Sequence, residues 1–319
     1  MKIGANVSER TAATSAARVN PLIVSCSQRQ ISDTMKTVKF NLLSLRRLPW
    51  RALLAAAAFT AAASSDLYSA ITRCDTQSPS EYEQRLMQQR VMKWQQSSQT
   101  LLATNIVVPV YFHVLRRNDG SGDIPDQQLF DLIDVLNSDY SSTRFKFLFA
   151  GSDRTNNSAW AAAPHRSDWE IAMKSQLARD VSHTLNVYVC PDLSQYVPAW
   201  ASFPFDFEES NTMHGVVVLK DTFPGGTFAP FNLGRTLTHE IGHYLGLIHT
   251  FQGSCDPIND GVNDTPAHQV NYGKPPDSTD TCPTFEGKDP VHNYMNYTDD
   301  DWMNQFTPGQ AEAAYAEVS

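Results

Sequence analysis

The chain has 319 residues, 41% hydrophobic and 18% charged, with 25 Lys and Arg against 34 Asp and Glu for a formal net charge of −9. This length and balance exclude a polytopic membrane protein, a coiled coil and a wholly disordered chain, and leave room for one large or two ordinary domains. The charge is uneven: residues 1–51 hold nine basic and two acidic residues, and the remainder holds 16 basic and 32 acidic. An acidic remainder of that kind is a poor partner for nucleic acid or for anionic membranes.

Lys36, Lys39, Arg46, Arg47 and Arg51 lead into an apolar run of 12 residues, Ala52 to Ala63, that ends in small residues. A basic flank, a short apolar run and an Ala-x-Ala ending make a secretory signal over 35–63. The run is too short for the roughly 20 residues that span a bilayer. An Arg-rich organelle presequence or a short buried helix would carry its apolar residues on one side, whereas these are apolar all round. Met35 opens the signal, so residues 1–34 read as an upstream extension. Removing the leader takes away Cys26 and leaves Cys74, Cys190, Cys255 and Cys282, an even number suited to an oxidising compartment. Asn156, Asn263 and Asn296 stand in glycosylation triplets.

Residues 64–100 are rich in Ser and Gln with a thin apolar face, and read as a pro-segment or N-terminal arm. Globular texture runs from 101 to 319. Ile106–Leu115 reads as a buried strand. Pro125 and Asp126 open a helix whose Leu129, Leu132, Ile133 and Leu136 share one face. Phe145–Phe149, Leu185–Val189 and Gly215–Leu219 read as strands, with a helix from Asp168 to Leu177 between them. Strands alternating with helices point to an α/β or α+β domain with a mixed sheet. Residues 253–305 are rich in Gly, Pro, Asn and Asp, a long irregular stretch of the kind that usually carries function. Thr307, Pro308 and Gln310 supply an N-cap, a first-turn proline and a capping-box partner for a last helix.

The chemistry is concentrated in Thr238-His239-Glu240-Ile241-Gly242-His243-Tyr244-Leu245-Gly246-Leu247-Ile248-His249. Leu233, Leu237, Ile241 and Leu245 form an i, i+4 row that marks the buried side of a helix. His239 and His243 are also i, i+4, so adjacent turns present two imidazoles to one ion. Gly246 ends the helix by taking a left-handed turn, and the chain doubles back to offer His249. Three imidazoles with an open fourth position suit one catalytic zinc per chain. Glu240 lies beside that ion without binding it, placed to take a proton from zinc-bound water and pass it to the leaving amine.

This long motif, followed by Asn293-Tyr294-Met295-Asn296-Tyr297, resembles the metzincin metalloproteases, and within them the pappalysin family of secreted fungal and microbial enzymes. The likeness also rests on His249-Thr250-Phe251, Asp264-Thr265-Pro266, Asp280-Thr281-Cys282-Pro283, Asp289-Pro290-Val291-His292-Asn293 and Met303-Asn304-Gln305-Phe306-Thr307. It implies an α+β, metzincin-like zincin: a mixed twisted sheet with the active-site helix in the N-terminal lobe, and an irregular, loop-rich C-terminal lobe ending in a helix. It further implies His239, His243 and His249 as zinc ligands, Glu240 as general base and acid, Met295 as the turn methionine, and Tyr297 as support for zinc or the oxyanion; packing beneath the metal is the other reading of Tyr297. Cys255 and Cys282 match one disulfide of relatives. The positions of a second bridge hold Lys274 and Trp302, where a cation–π contact is an expected substitute.

Two readings of Cys74 stay open: a disulfide to Cys190, which the even count of secreted thiols favours, or a thiolate on zinc that keeps a zymogen latent. The resemblance makes Gly215–Leu219 the sheet edge along which an extended peptide lies; an ordinary core strand is the alternative. Asp256, Asp260 and Asp264 are candidate calcium ligands, although their spacing fits no EF-hand loop and a solvated acidic surface is the other reading. The expectation is a secreted, monomeric zinc endopeptidase acting on extended protein substrates. A catalytically inactive module binding peptides in the same cleft, and a hydrolase of small molecules, are the alternatives.

Overall fold

In the computed structural model of the chain, residues 73–97, 105–193 and 197–318 are described. The leader over 35–63 and the extension over 1–34 lie outside them. Five strands form the main sheet: β1 (Ile106–Arg116), β2 (Phe145–Asn156), β3 (Leu185–Cys190), β4 (Ala199–Ala201) and β5 (Val216–Leu219), in the order β2-β1-β3-β5-β4. The first three and β5 run parallel, and β4 is antiparallel to β5. Pro109 is tolerated in an interior strand because β3 begins only opposite Val110, so no bond to β3 is lost there.

Alternation along the strands divides the core between the two faces of the sheet. Val110, Phe112, Val114, Val187, Val189, Val216 and Val218 face one cluster, with α2 (Asp126–Asp139) and the helix that carries the histidines, α5 (Arg235–Tyr244). Leu115, Tyr188, Cys190, Val217 and Leu219 face the other, with α3 (Ser158–Ala161) and α4 (Asp168–Leu177). Leu237, Ile241 and Leu245 are buried in the first cluster. Leu233 is not part of that row: it is 40% exposed and precedes the helix, which starts only after Gly234 has taken a φ of +88°.

The Gly215–Leu219 segment is corrected as to place. Its strand β5 is interior, and the sheet edge is β4, a three-residue strand whose shortness hides it from pattern reading. The arm also forms more structure than its thin apolar face suggests. Helix α1 (Glu81–Ser97) packs on α6 (Pro308–Glu317), with Trp94 against Tyr315 and Arg90 bonded to Glu317. Thr307 and Gln310 close the capping box at the start of α6.

Irregular backbone dominates 253–305, with two-residue strands β6 (Tyr272–Gly273) and β7 (Tyr297–Thr298). Cys255 and Cys282 form a disulfide with Cα atoms 5.4 Å apart. Lys274 does not lie over Trp302. Its ammonium pairs with Asp301, while the indole donates to Pro275 O at 3.0 Å and lies tilted against the His292 ring, so polar contacts join the two segments. Asn296 is fully buried and bonded to Asn271, which bars a glycan there in the folded protein, whereas Asn156 and Asn263 are exposed.

Candidate active site

Helix α5 is drawn close to the turn beneath it because Gly242 has no side chain: a Cβ there would overlap Met295 Sδ. The turn is held from both sides, Met295 N by Asn293 Oδ1 at 2.9 Å and Thr250 N by Met295 O at 3.2 Å. Gly246, at φ +92°, ends the helix and sends the chain back toward the site.

Three imidazoles converge above this base. His239 Nδ1 donates to Tyr294 O at 2.6 Å and His243 Nδ1 to Leu247 O at 2.7 Å. Carbonyls only accept, so both rings carry their proton on Nδ1 and turn a bare Nε2 inward. His243 Nε2 is 3.2 Å from His239 Nε2 and 3.1 Å from His249 Nε2. Lone pairs crowded this closely repel unless a cation lies among them. Tetrahedral zinc with bonds of about 2.0–2.1 Å sets its nitrogens about 3.3–3.4 Å apart, so the donor set fits that ion. Burial lowers the proton affinity of all three rings, His243 to about 4, and keeps them neutral as ligands must be.

A fourth donor atom beside the imidazoles comes from the arm. Cys74 Sγ lies 3.2 Å from His249 Nε2, 3.5 Å from His243 Nε2 and 3.5 Å from Tyr297 OH. Cys74 and Cys190 are both free and buried, so the disulfide between them is not formed. Cys190 instead packs in the sheet core, with Sγ directed at Trp160 O. Among the described residues, Cys74, His239, His243 and His249 are the group of side chains placed to share one metal ion. Burial and then the Glu240 charge push the Cys74 thiol up, so holding a thiolate there calls for a nearby cation.

Glu240 is fully buried, and burial raises its carboxyl to about 8. Its Oε2 accepts from Thr76 Oγ1 at 2.8 Å, and among the described residues its Oε1 has no hydrogen-bond partner. Thr76 Oγ1 in turn accepts from Ala201 N at 2.9 Å, and Asp75 N donates to Ala199 O at 2.9 Å, so the arm lies on the edge strand β4. Tyr297 is buried beside Cys74, and burial keeps its phenol protonated.

Sequence reasoning missed the residue before the cysteine. Arg73 is buried, donates to Thr298 O at 2.7 Å, lies 4.9 Å from the Phe231 ring and pairs with Asp300. The other oxygen of Asp300 accepts from Leu233 N at 2.8 Å, which fixes the carboxylate at the entry to α5. Asp299, Asp300 and Asp301 form one acidic run, and nothing in its local pattern marks the first two as buried and the third as exposed.

The three aspartates proposed for calcium are not brought together. Asp264 accepts from Thr307 Oγ1 and Gly309 N at the start of α6, and Asp256 is exposed. Asp260 is buried, bonded through Oδ1 to Thr265 and Val262 N, and its Oδ2 has no partner. Of the histidines without ligand spacing, His292 bonds Trp302 O and Asp277.

Residues 174–318 match the family described as pregnancy-associated plasma protein-A. Over 210 residues, 64% of this chain and 74% of the relative, the sequence is 42% identical to an extracellular metalloprotease of Verticillium alfalfae. Over 254 residues, 78% of this chain and 91% of the relative, it is 37% identical to an extracellular metalloprotease of Arthroderma benhamiae. The fold is similar to mature mirolysin of Tannerella forsythia in complex with a cleaved peptide, with TM-score 0.59 and 30% identity over 66% of this chain and 91% of that one. A promirolysin mutant of the same organism gives TM-score 0.60 and 28% identity over 73% and 88%.

Proposed function

The chain belongs to the pappalysin family of metalloproteases, with an α+β fold of the metzincin zincin type, and from that premise we propose that it is a secreted zinc endopeptidase held latent by its own residues 73–76. The observation that carries this reading is the convergence of three imidazole Nε2 atoms beside a buried carboxylate, with the arm stretched along the adjacent edge strand. Secretion rests on the leader-like run over 35–63 and on relatives named extracellular. Among the described residues no helix is long and apolar enough to cross a membrane.

We assign the ion to His239, His243 and His249, with Cys74 completing the set while the arm is in place. Bound there, zinc would supply Lewis acidity to the scissile carbonyl and the attacking water. The protein's own groups do the rest. An extended peptide takes the place of the arm on β4, bonding Ala199 O and Ala201 N. Glu240, freed of Thr76, accepts a proton from the attacking water and returns it to the leaving amine. Tyr297, freed of Cys74, donates its O–H to the charge that develops on the carbonyl oxygen. Met295 holds the ligand helix from beneath.

The arm also indicates what the cleft accepts. Once Arg73 leaves, Asp300 keeps a buried carboxylate whose Oδ1 has lost its cation, so that pocket favours a lysine or arginine side chain. For a second ion, calcium, we propose Asp260 as an anchor, because its buried Oδ2 has no hydrogen-bond partner among the described residues.

Casein digestion tests the function. The processed protein clears casein, and a zinc chelator or Glu240→Ala abolishes the clearing. Equal clearing by the wild type and Glu240→Ala overturns the protease reading and leaves a peptide-binding module.

A further inference from the structure

A second built feature borders the cleft and takes no part in this chemistry. His165 and Arg166 lie just ahead of α4. The His165 ring stacks on Trp200 of β4, with centroids 5.1 Å apart, and its Nδ1 donates to Asp75 Oδ2 at 2.9 Å. Arg166 NH1 donates to Gln77 Oε1 at 2.8 Å. Among the described residues no carboxylate lies within ion-pair distance of Arg166, and its charge acts at longer range on Asp206, whose Oδ2 accepts from Phe203 N.

The support beneath this pair is unusually firm. Arg166 has a φ of +57°, a left-handed conformation that is sparse for a residue with a Cβ. Glu170, 1% exposed, holds it there by accepting Arg166 N at 2.6 Å on Oε2. The other oxygen, Oε1, accepts Trp200 Nε1 and Lys174 Nζ, each at 2.8 Å, and Lys174 also donates to Met213 O. One buried ion pair therefore fixes both the platform under His165 and the strained backbone of Arg166. Strain over-determined in this way marks a site rather than a passing loop.

Asp75, which meets His165, is also the residue whose N–H bonds Ala199 O. A peptide that bonds β4 as the arm does thus sets one side chain against His165, as Asp75 is set, and the side chain two positions further on against Arg166, as Gln77 is set. Arg73 and Asp75 flank Cys74 and reach different walls of the cleft, Asp300 for one and His165 for the other. We propose that His165 and Arg166 form a subsite for an acidic substrate side chain, on the opposite side of the scissile bond from the basic side chain held by Asp300. This rests on the reading of the cleft as a peptide-cleaving site. The favoured substrate then carries opposite charges on the two sides of the cleaved bond, and the arm imitates that pattern with Arg73 and Asp75.

The test uses the processed protein, the form that corresponds to the mature mirolysin matching 66% of this chain. Fluorescein-labelled octapeptides carry one arginine, with an aspartate walked through the other seven positions beside asparagine and lysine counterparts. Binding is read by fluorescence polarisation on the Glu240→Ala protein, and hydrolysis on the protein with Glu240 intact. At one position aspartate binds about fivefold tighter than lysine, the size of a partly exposed charge pair, and Arg166→Glu reverses that order while Arg166→Gln levels it. Equal binding at every position, or a preference unchanged in Arg166→Glu, overturns the proposal. Hydrolysis without the preference overturns the subsite alone, whereas preferential binding without any hydrolysis supports the subsite and overturns the protease reading.

Discussion

Thr76 and Glu240 share one hydrogen bond of 2.8 Å, and the same Thr76 hydroxyl accepts the Ala201 amide of the edge strand. A single side chain of the arm therefore occupies together the carboxylate proposed as general base and an amide proposed to bind substrate. With Cys74 against the imidazoles, the arm covers base, ion site and sheet edge within three residues. The latency proposed here is reversible in principle, because no disulfide holds Cys74 of the arm at the site.

Removing the thiol should release part of that inhibition. The unprocessed Cys74→Ala chain is expected to cleave a fluorogenic peptide at a rate between that of the unprocessed wild type, which stays near background, and that of the processed enzyme. Mass spectrometry after alkylation adds a check on the same chain: the denatured wild type labels at both Cys74 and Cys190. A peptide linking these two cysteines would contradict the structure.

The catalytic assignments separate by kinetic signature. Glu240→Gln is expected to lower kcat by about 10²–10⁴-fold, the usual worth of a positioned base. Tyr297→Phe removes one donor to the developing oxyanion and is expected to cost about 10²-fold in kcat, with KM nearly unchanged. Bound zinc, measured by elemental analysis, is retained in both variants; loss of the ion in Tyr297→Phe would move that residue from catalysis to metal support.

Asp300→Asn keeps an acceptor for Leu233 N and removes only the charge that faces Arg73. Profiling of cleavage sites should show the preference for Lys or Arg reduced by about 10–100-fold relative to a neutral residue, the scale of a charge-assisted hydrogen bond. An unchanged profile would place the basic-residue pocket elsewhere.

Asp260 links pH to ion binding. Burial raises its carboxyl to about 8, above the ordinary 3.8, so the native state holds a proton that the unfolded chain releases earlier. Stability from this residue is thus fully present below about pH 4 and is lost as pH rises toward 8. In a chelator, Asp260→Asn should melt above the wild type by a margin that grows between pH 4 and 8. Millimolar calcium should raise the melting temperature of the wild type at pH 8 and not that of Asp260→Asn. A wild type indifferent to calcium at pH 8 would remove calcium from Asp260.

What the sequence determined by itself is what depends on short separations. The i, i+4 placement of His239 and His243, the left-handed stop at Gly246, the capping box of Thr307 and Gln310, and the alternation of Val216–Leu219 follow from local helix and strand geometry within a few residues. Tertiary structure decided the rest. Whether Gly215–Leu219 was edge or interior depended on where Ala199–Ala201 paired. The partner of Cys74 depended on a chain path of 175 residues to His249, and the burial of Asp300 on one of 227 residues from Arg73. An acidic run or a lone thiol has the same local pattern in solvent and in a core, and only packing that closes such long loops tells the two apart.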